Sequence, residues 1–249
     1  MNQLTHLSLF SGIGGLDLAA EWAGFRTVGQ CEWAEYPTKV LEKHWPDVPR
    51  WKDIRTLTGE SFYERTGLRT VDVISGGFPC QPFSVAGKQR GKEDDRFLWP
   101  EMVRVIKELR PAWVVGENVA GLVRIVLDEI LSELEGMGYE ARAYRTEARN
   151  VGGLFRGERI AIVAASNNGS TSLRRNREFS TDGEITGCWD NHRGGAEKPD
   201  LWERRKIKSR PYGVADGVPY RVDRIRCLGN AVVPQQFYPI FKAIAEVSR

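Results

Sequence analysis

The sequence is short of the residues that usually anchor metals and disulfides: of 249 residues, four are cysteine and three histidine. Cys31, Cys80, Cys188 and Cys227 are widely scattered, with no CxxC pair and no histidine at ligand-like spacing. That pattern argues against a metal site and against a disulfide framework, and predicts a reducing, cytoplasmic setting. No apolar run approaches the length of a membrane span, so no membrane partner is expected. The N-terminal residues carry no basic stretch ahead of a long apolar one, so no signal peptide is expected either. Internal repeats are absent. Neither sign of charge dominates: 36 Lys and Arg against 33 Asp and Glu leave +3. Such a balance permits a polyanionic partner without demanding one. With 41% hydrophobic and 28% charged residues, the chain suits one sizeable globular core.

What is present is a set of apolar runs that stop abruptly at glycine or proline. Val71-Asp72-Val73-Ile74-Ser75-Gly76-Gly77 reads as a buried β-branched strand ending at paired glycines. Phe78-Pro79-Cys80-Gln81-Pro82 follows, placing a thiol between two prolines in a turn that neither helix nor strand easily occupies. Open α/β sheets hold their ligands at the carboxyl ends of such strands. A stiffly held thiol there suits a nucleophile, although a lone cysteine is commonly a buried packing residue.

Leu7-Ser8-Leu9-Phe10 is a second apolar strand, followed by Ser11-Gly12-Ile13-Gly14-Gly15 and then a helical pattern from Leu16 to Trp22. Strand, glycine turn and helix start form a place where a cofactor can approach bare backbone N–H groups, although the match to GxGxxG is incomplete. The next strand, Thr27 to Cys31, ends at Glu32, where an acidic side chain can accept from ribose hydroxyls. Trp33 could cover an adenine face or simply pack. Asp53, before Ile54, could accept from an adenine amino group or act as a cap.

Beyond the cysteine, residues 84–96 form a glycine-containing, charged stretch with the character of a lid or a solvated connector. Helical patterns span Phe97 to Leu109 and Val123 to Met137. Strands are predicted over Ala112 to Gly116, Tyr139 to Thr146 and Ile160 to Ala164. The first runs into Glu117-Asn118-Val119, which sets a carboxylate at the same sheet edge as Cys80. Gly229-Asn230-Ala231-Val232-Val233-Pro234 reads as a tight turn. Phe237, Ile240, Phe241 and Ile244 after it have the spacing of a buried helix face.

Between Ser166 and Arg210 apolar residues thin out. Ten Lys or Arg stand there against seven Asp or Glu, with Trp189, His192 and Trp202 among them. A loosely folded insertion and a nucleic-acid-reading module both fit this composition.

In combination these stretches resemble the cytosine-C5 DNA methyltransferase family. The resemblance rests on Phe10-Ser11-Gly12-Ile13-Gly14-Gly15, Gly77-Phe78-Pro79-Cys80-Gln81, Glu117-Asn118-Val119, Arg156-Gly157-Glu158-Arg159 and Gly229-Asn230-Ala231-Val232-Val233-Pro234. It covers Leu4 to Ala165 and Val222 to Ser248. It implies a doubly wound, mostly parallel, Rossmann-like α/β sheet with a small variable target-recognition region. The implied division is a catalytic core over residues 1–165, recognition over 166–220, and a return to the core over 221–249.

By this resemblance Cys80 adds to C6 of a flipped cytosine, Glu117 protonates N3, and Arg159 contacts O2. S-adenosylmethionine is the implied cofactor, with Phe10, Gly12, Ile13, Gly14 and Gly15 at its methionine part. Glu32 is implied at the ribose, and Trp33, Asp53 and Ile54 at the adenine. Phe78, Leu98, Asn230 and Val232 match further cofactor positions. The implied partner is double-stranded DNA, with room for a cognate restriction endonuclease, and the implied state is a cytoplasmic monomer. An RNA cytosine methyltransferase and a non-catalytic DNA-binding relic are the alternatives; retention of both Cys80 and Glu117 speaks against the relic. Phe155 and Gly157 stand where the family usually has glutamine and an arginine. An arginine restored at 157 is therefore expected to add a phosphate contact.

Overall fold

Seven strands form one sheet in the order β3-β2-β1-β4-β5-β7-β6. They are β1 (Thr5–Leu9), β2 (Arg26–Cys31), β3 (Arg50–Trp51), β4 (Val73–Gly76), β5 (Trp113–Val119), β6 (Tyr139–Glu147) and β7 (Glu158–Ser166). Seven α-helices accompany them: α1 (Gly15–Trp22), α2 (Glu35–His44), α3 (Gly59–Thr66), α4 (Trp99–Leu109), α5 (Leu127–Gly136), α6 (Arg221–Asn230) and α7 (Pro234–Val247). This computed structural model describes residues 3–79, 98–120, 126–153, 155–167 and 220–248, and both counts refer to these. Cys80 and the stretch 168–219, hence nearly all of the expected recognition region, lie outside the described residues.

Pairing is parallel from β3 through β2, β1 and β4 to β5, whereas β7 runs antiparallel to both β5 and β6. Side chains alternate across the sheet with the two-residue period of a strand. Ile74, Val114 and Ile162 enter one apolar layer with Met102 and Ile106 of α4 and Ile130 and Leu134 of α5. Val73, Val115 and Val163 enter the other, with Ala19 and Ala20 of α1 and Phe237, Ile240, Phe241 and Ile244 of α7. Both faces are thus covered, which is why the central strands read as continuous apolar runs.

Two helices depart from the sequence reading. α3 has one buried residue, Phe62, and owes its ends to local chemistry: a reciprocal Thr58–Ser61 capping box and Gly67 at φ 73. α6 takes in Gly229 and Asn230, so the expected tight turn begins only at Ala231. No residue of α6 is buried, so no apolar period could have announced it.

The strand order reverses between β1 and β4. A crevice opens at such a switch point beyond the carboxyl ends of the strands, and the candidate site lies there.

Candidate functional site

A cleft of about 830 Å³ lies over the ends of β1, β2 and β4, within the size range of small-molecule sites. Phe10, Gly12, Ile13, Glu32, Trp33, Asp53, Ile54, Leu98 and Asn230 all line it, as do Gly77 and Pro79 just ahead of Cys80. Residues separated by more than two hundred positions are therefore brought to one wall, as the motif order predicts.

The glycine turn is held in detail. Phe10 leaves β1 at φ 52, a left-handed conformation that costs a bulky side chain on the order of 1–3 kcal/mol. Gly12 follows at φ 55 with open space where a Cβ would stand. Its N–H donates to Glu32 Oε2 at 2.8 Å, and Ala34 N–H donates to Glu32 Oε1 at 2.8 Å. Glu32 therefore ties the turn to the end of β2 besides facing the cleft. Behind the turn, Ser8 Oγ and Gln30 Nε2 each donate to the buried Asp17 carboxylate at 2.8 Å. Burial pushes Asp17 up to about 6 against those hydrogen bonds.

Four expected cofactor residues stand behind the wall rather than on it. A Cβ on Gly14 would strike the Trp45 ring at 2.4 Å, and one on Gly15 would strike the Val232 carbonyl oxygen at 2.5 Å. Gly14, Gly15 and Val232 thus let α1 approach its neighbours closely. Phe78 is buried against Trp99, ring centroids 5.0 Å apart. Asp53 caps the short turn Ile54–Thr56 by accepting from Arg55 N at 3.0 Å. Arg104 of α4 secures that turn by donating to the carbonyls of Ile54 and Leu57, at 2.7 and 3.1 Å. Trp33, 66% exposed, presents a bare aromatic surface at the cleft.

Glu117 and Arg159 form the other end of the site. In the β5–β7 ladder Glu117 lies opposite Ala161 and Arg159 opposite Val119, so the two are diagonal neighbours, within reach of long side chains. Arg159 Nε donates to Glu117 Oε1 at 2.9 Å. Glu117 is 8% exposed, and burial pushes its carboxyl up to about 7, with Arg159 opposing the shift. A carboxyl poised there can hold a proton near neutral pH and give it up on demand.

Sequence reasoning gave Asn118 no task. Its Nδ2 donates to the Phe78 carbonyl at 2.9 Å, in a buried position, and so ties the chain just before Cys80 to β5. It also missed the contributions of Tyr220, Arg226 and Cys227 to the cleft, because α6 carries no apolar signal.

Gly157 overturns the expectation for an arginine there. It sits at φ 50, and a Cβ would meet the Phe155 ring at 2.5 Å and Ala148 Cβ at 2.8 Å. Arg156 is engaged with Glu147 and Glu158 at 3.0 Å each. Arg145 and Arg149 also pair with Glu147.

Among the described residues, no group of three or more His, Cys, Asp and Glu could hold a metal ion. No described helix is long and apolar enough to cross a membrane.

A doubly wound sheet with one reversed strand, a nucleotide-sized cleft at its switch point and a buried acid beside it defines a Rossmann-like class of scaffold. A model of the C-5 cytosine-specific DNA methylase family matches residues 4–194, and the chain belongs to that family. The Type II methyltransferase M.NgoMIV of Neisseria gonorrhoeae is 40% identical over 125 residues, 49% of this chain and 37% of that protein. M1.HphI of Haemophilus parahaemolyticus is 32% identical over 194 residues, 74% of this chain and 52% of the relative. The chain thus spans about a third to a half of the length of these curated relatives. In fold it is similar to the S. pombe Dnmt2 methyltransferase, with a TM-score of 0.56 at 22% identity over 72% of this chain and 56% of the other. A mutant of Spodoptera frugiperda DNMT2 gives 0.58 at 23% identity over 70% of this chain and 54% of the other.

Proposed function

We propose that this chain methylates C5 of cytosine in double-stranded DNA, using S-adenosylmethionine. The observation that carries the reading is Glu117, a buried carboxyl whose value is raised to about 7, paired to Arg159 and opposite the glycine that precedes Phe78 and Pro79.

The cleft fits the cofactor. Glu32 and Asp53 offer acceptors for hydroxyl and amino groups, Ile54, Leu98 and Trp33 offer apolar or aromatic surface, and the glycine turn allows close backbone approach. When bound, S-adenosylmethionine supplies an electrophilic methyl group on a sulfonium.

Cytosine C5 is a weak nucleophile until the ring is activated. The Cys80 thiolate adds to C6, forming an S–C6 bond and pushing the ring electrons toward N3 and O2. Glu117 delivers its proton to N3, which keeps that charge from accumulating. Arg159, beside it, supplies a fixed positive charge for O2 and holds the carboxyl in place. The C4–C5 bond then has enamine character, and C5 can attack an electrophile. Once C5 carries its new methyl group, loss of the C5 proton to a base expels Cys80 as the thiolate, and N3 returns its proton to Glu117, so that ring, thiolate and acid are all restored. The base must leave the duplex to reach this pocket.

The Type II methyltransferases among the relatives suggest a cognate restriction endonuclease as a partner, and residues 166–220 as the part that reads sequence. Transfer of labelled methyl groups to duplex DNA and to RNA tests the reading, run with the chain and with Cys80→Ser. Label in DNA cytosine, lost in the serine variant, is expected. Duplex DNA carrying 5-fluorocytosine should form a stable covalent adduct, because fluorine cannot leave as a proton does. Label in RNA alone, or full turnover by Cys80→Ser, would overturn it.

A further inference from the structure

α7 buries an apolar face of Phe237, Ile240, Phe241 and Ile244, and in its first turn that face also includes an amide, Gln236, 3% exposed. A buried amide is tolerated only where its bonds are met, and an apolar residue would otherwise serve as well. Gln236 Nε2 donates to the Gly157 carbonyl at 2.8 Å and to Thr146 Oγ1 at 3.2 Å. Neither partner is incidental to the site. Thr146 lies directly opposite Arg159 in the β6–β7 ladder, and Gly157 precedes Arg159 by two residues.

The turn needs such a hold. Gly157 stands in a left-handed conformation at the mouth of β7. Among the described residues its carbonyl otherwise receives a long bond from Ala148 N, at 3.4 Å, whereas Arg156 O takes the same N–H at 2.8 Å. Without the amide, the first residue of β7 could swing with the turn, and Arg159 Nε would leave Glu117 Oε1.

We infer that Gln236 is a positioning residue: it pins the Gly157 carbonyl and the Thr146 hydroxyl on either side of Arg159 and so fixes the Arg159–Glu117 pair. The inference rests on the reading of that pair as the proton-delivering part of the site. It also gives α7 a second task, because Asn230 and Ala231, just before this helix, line the cleft. One short segment thereby reaches from the cofactor cleft to the arginine.

The test is Gln236→Met, which keeps length and removes the donor, with Gln236→Glu read in its place should the methionine variant not fold. Ile240→Val is the reference for simple loss of packing on the same helix face. The first readout needs no activity: the ¹⁵N resonance of Arg159 Nε–H, assigned by its loss in Arg159→Lys. In the unaltered chain it is expected to be resolved and slowly exchanging. In Gln236→Met it should collapse onto the solvent-exposed arginine signals, while Ile240→Val leaves it in place. The second is steady-state methyl transfer: kcat should fall about tenfold in Gln236→Met with KM for the cofactor within about twofold. An Arg159 resonance unmoved in Gln236→Met would overturn the inference. Failure of the underlying reading shows separately, as full turnover by Glu117→Gln while the resonance still responds to Gln236.

Discussion

Gly77 and Glu117 face each other across β4 and β5 so closely that a Cβ on the glycine would lie 2.8 Å from Glu117 Oε2. The missing side chain is the space in which the carboxyl sits. Gly77→Ala should therefore push the carboxylate off Arg159 and misplace it relative to the base. A shift of about an ångström in a reacting group can cost about 10²-fold in rate, and a loss of that order in kcat is expected, with cofactor affinity nearly unchanged. Calorimetry and single-turnover methyl transfer measure the two effects. An alanine variant that turns over normally would mean the carboxyl need not stand where it does.

Glu117→Gln keeps the shape but has no proton to give. The chemical step should slow by about 10²- to 10⁴-fold, while duplex binding in a gel-shift or anisotropy titration stays close to that of the parent. Lost DNA affinity at unchanged turnover would make Glu117 a binding contact and not an acid.

The same carboxyl makes stability depend on pH. Its value is near 4.5 in the unfolded chain and is pushed up to about 7 by burial in the folded one. Between those values the folded state keeps a proton that the unfolded state has lost. Stability therefore falls as pH rises through this window and levels off above about 7. Denaturant titrations at about pH 5 and about pH 8 should show the parent losing on the order of 1–3 kcal/mol more than Glu117→Gln. His6, lowered to about 3, and Asp17, raised to about 6, are both fully buried and titrate in both proteins, so they cancel in this difference. Parallel curves for the two proteins would contradict the assignment.

Glu32→Ala is expected to act twice. It removes the acceptor proposed for the ribose, a loss on the order of 1–3 kcal/mol in cofactor binding. It also frees the Gly12 and Ala34 N–H groups, so the melting temperature should drop without cofactor present. Unchanged affinity by calorimetry would take the ribose away from Glu32.

Gly157→Arg should destabilise the fold rather than tighten DNA binding. The left-handed backbone alone costs on the order of 1–3 kcal/mol for a residue with a side chain, and contacts with Phe155 and Ala148 add to it. Thermal melts and salt-dependent DNA titrations separate the outcomes. A stable variant with a steeper salt slope would restore the sequence-based expectation.

Much of the scaffold was legible because buried strands and amphipathic helices write their period into the chain. Val73-Ile74 and Val114-Val115 announce strands covered on both faces, and Phe237-Ile240-Phe241-Ile244 announces a helix. α3 and α6 were illegible because one buries a single side chain and the other none. The motif residues indicated which strand ends meet, but not which of them face the cleft. Gly14, Gly15 and Val232 turned out to serve close packing. Asn118 and Gln236 could not be assigned from sequence, since an amide looks the same whether it meets water or clamps a distant carbonyl. Gly157 looked like a missing contact, and only its φ and its neighbours showed a position closed to side chains.

β7 runs against β5, and that reversal brings its first residues to the edge where β5 ends. The pairing of Arg159 with Glu117 is consequently a matter of ladder register rather than of loop shape. Insertions between the two strands would lengthen a connection and leave the pair where it is. Deleting one residue of β7 just after Arg159, such as Ala161, would turn the Arg159 side chain to the opposite face of the sheet. Through divergence, such a strand can accept almost any change in what it joins and almost none in its own length.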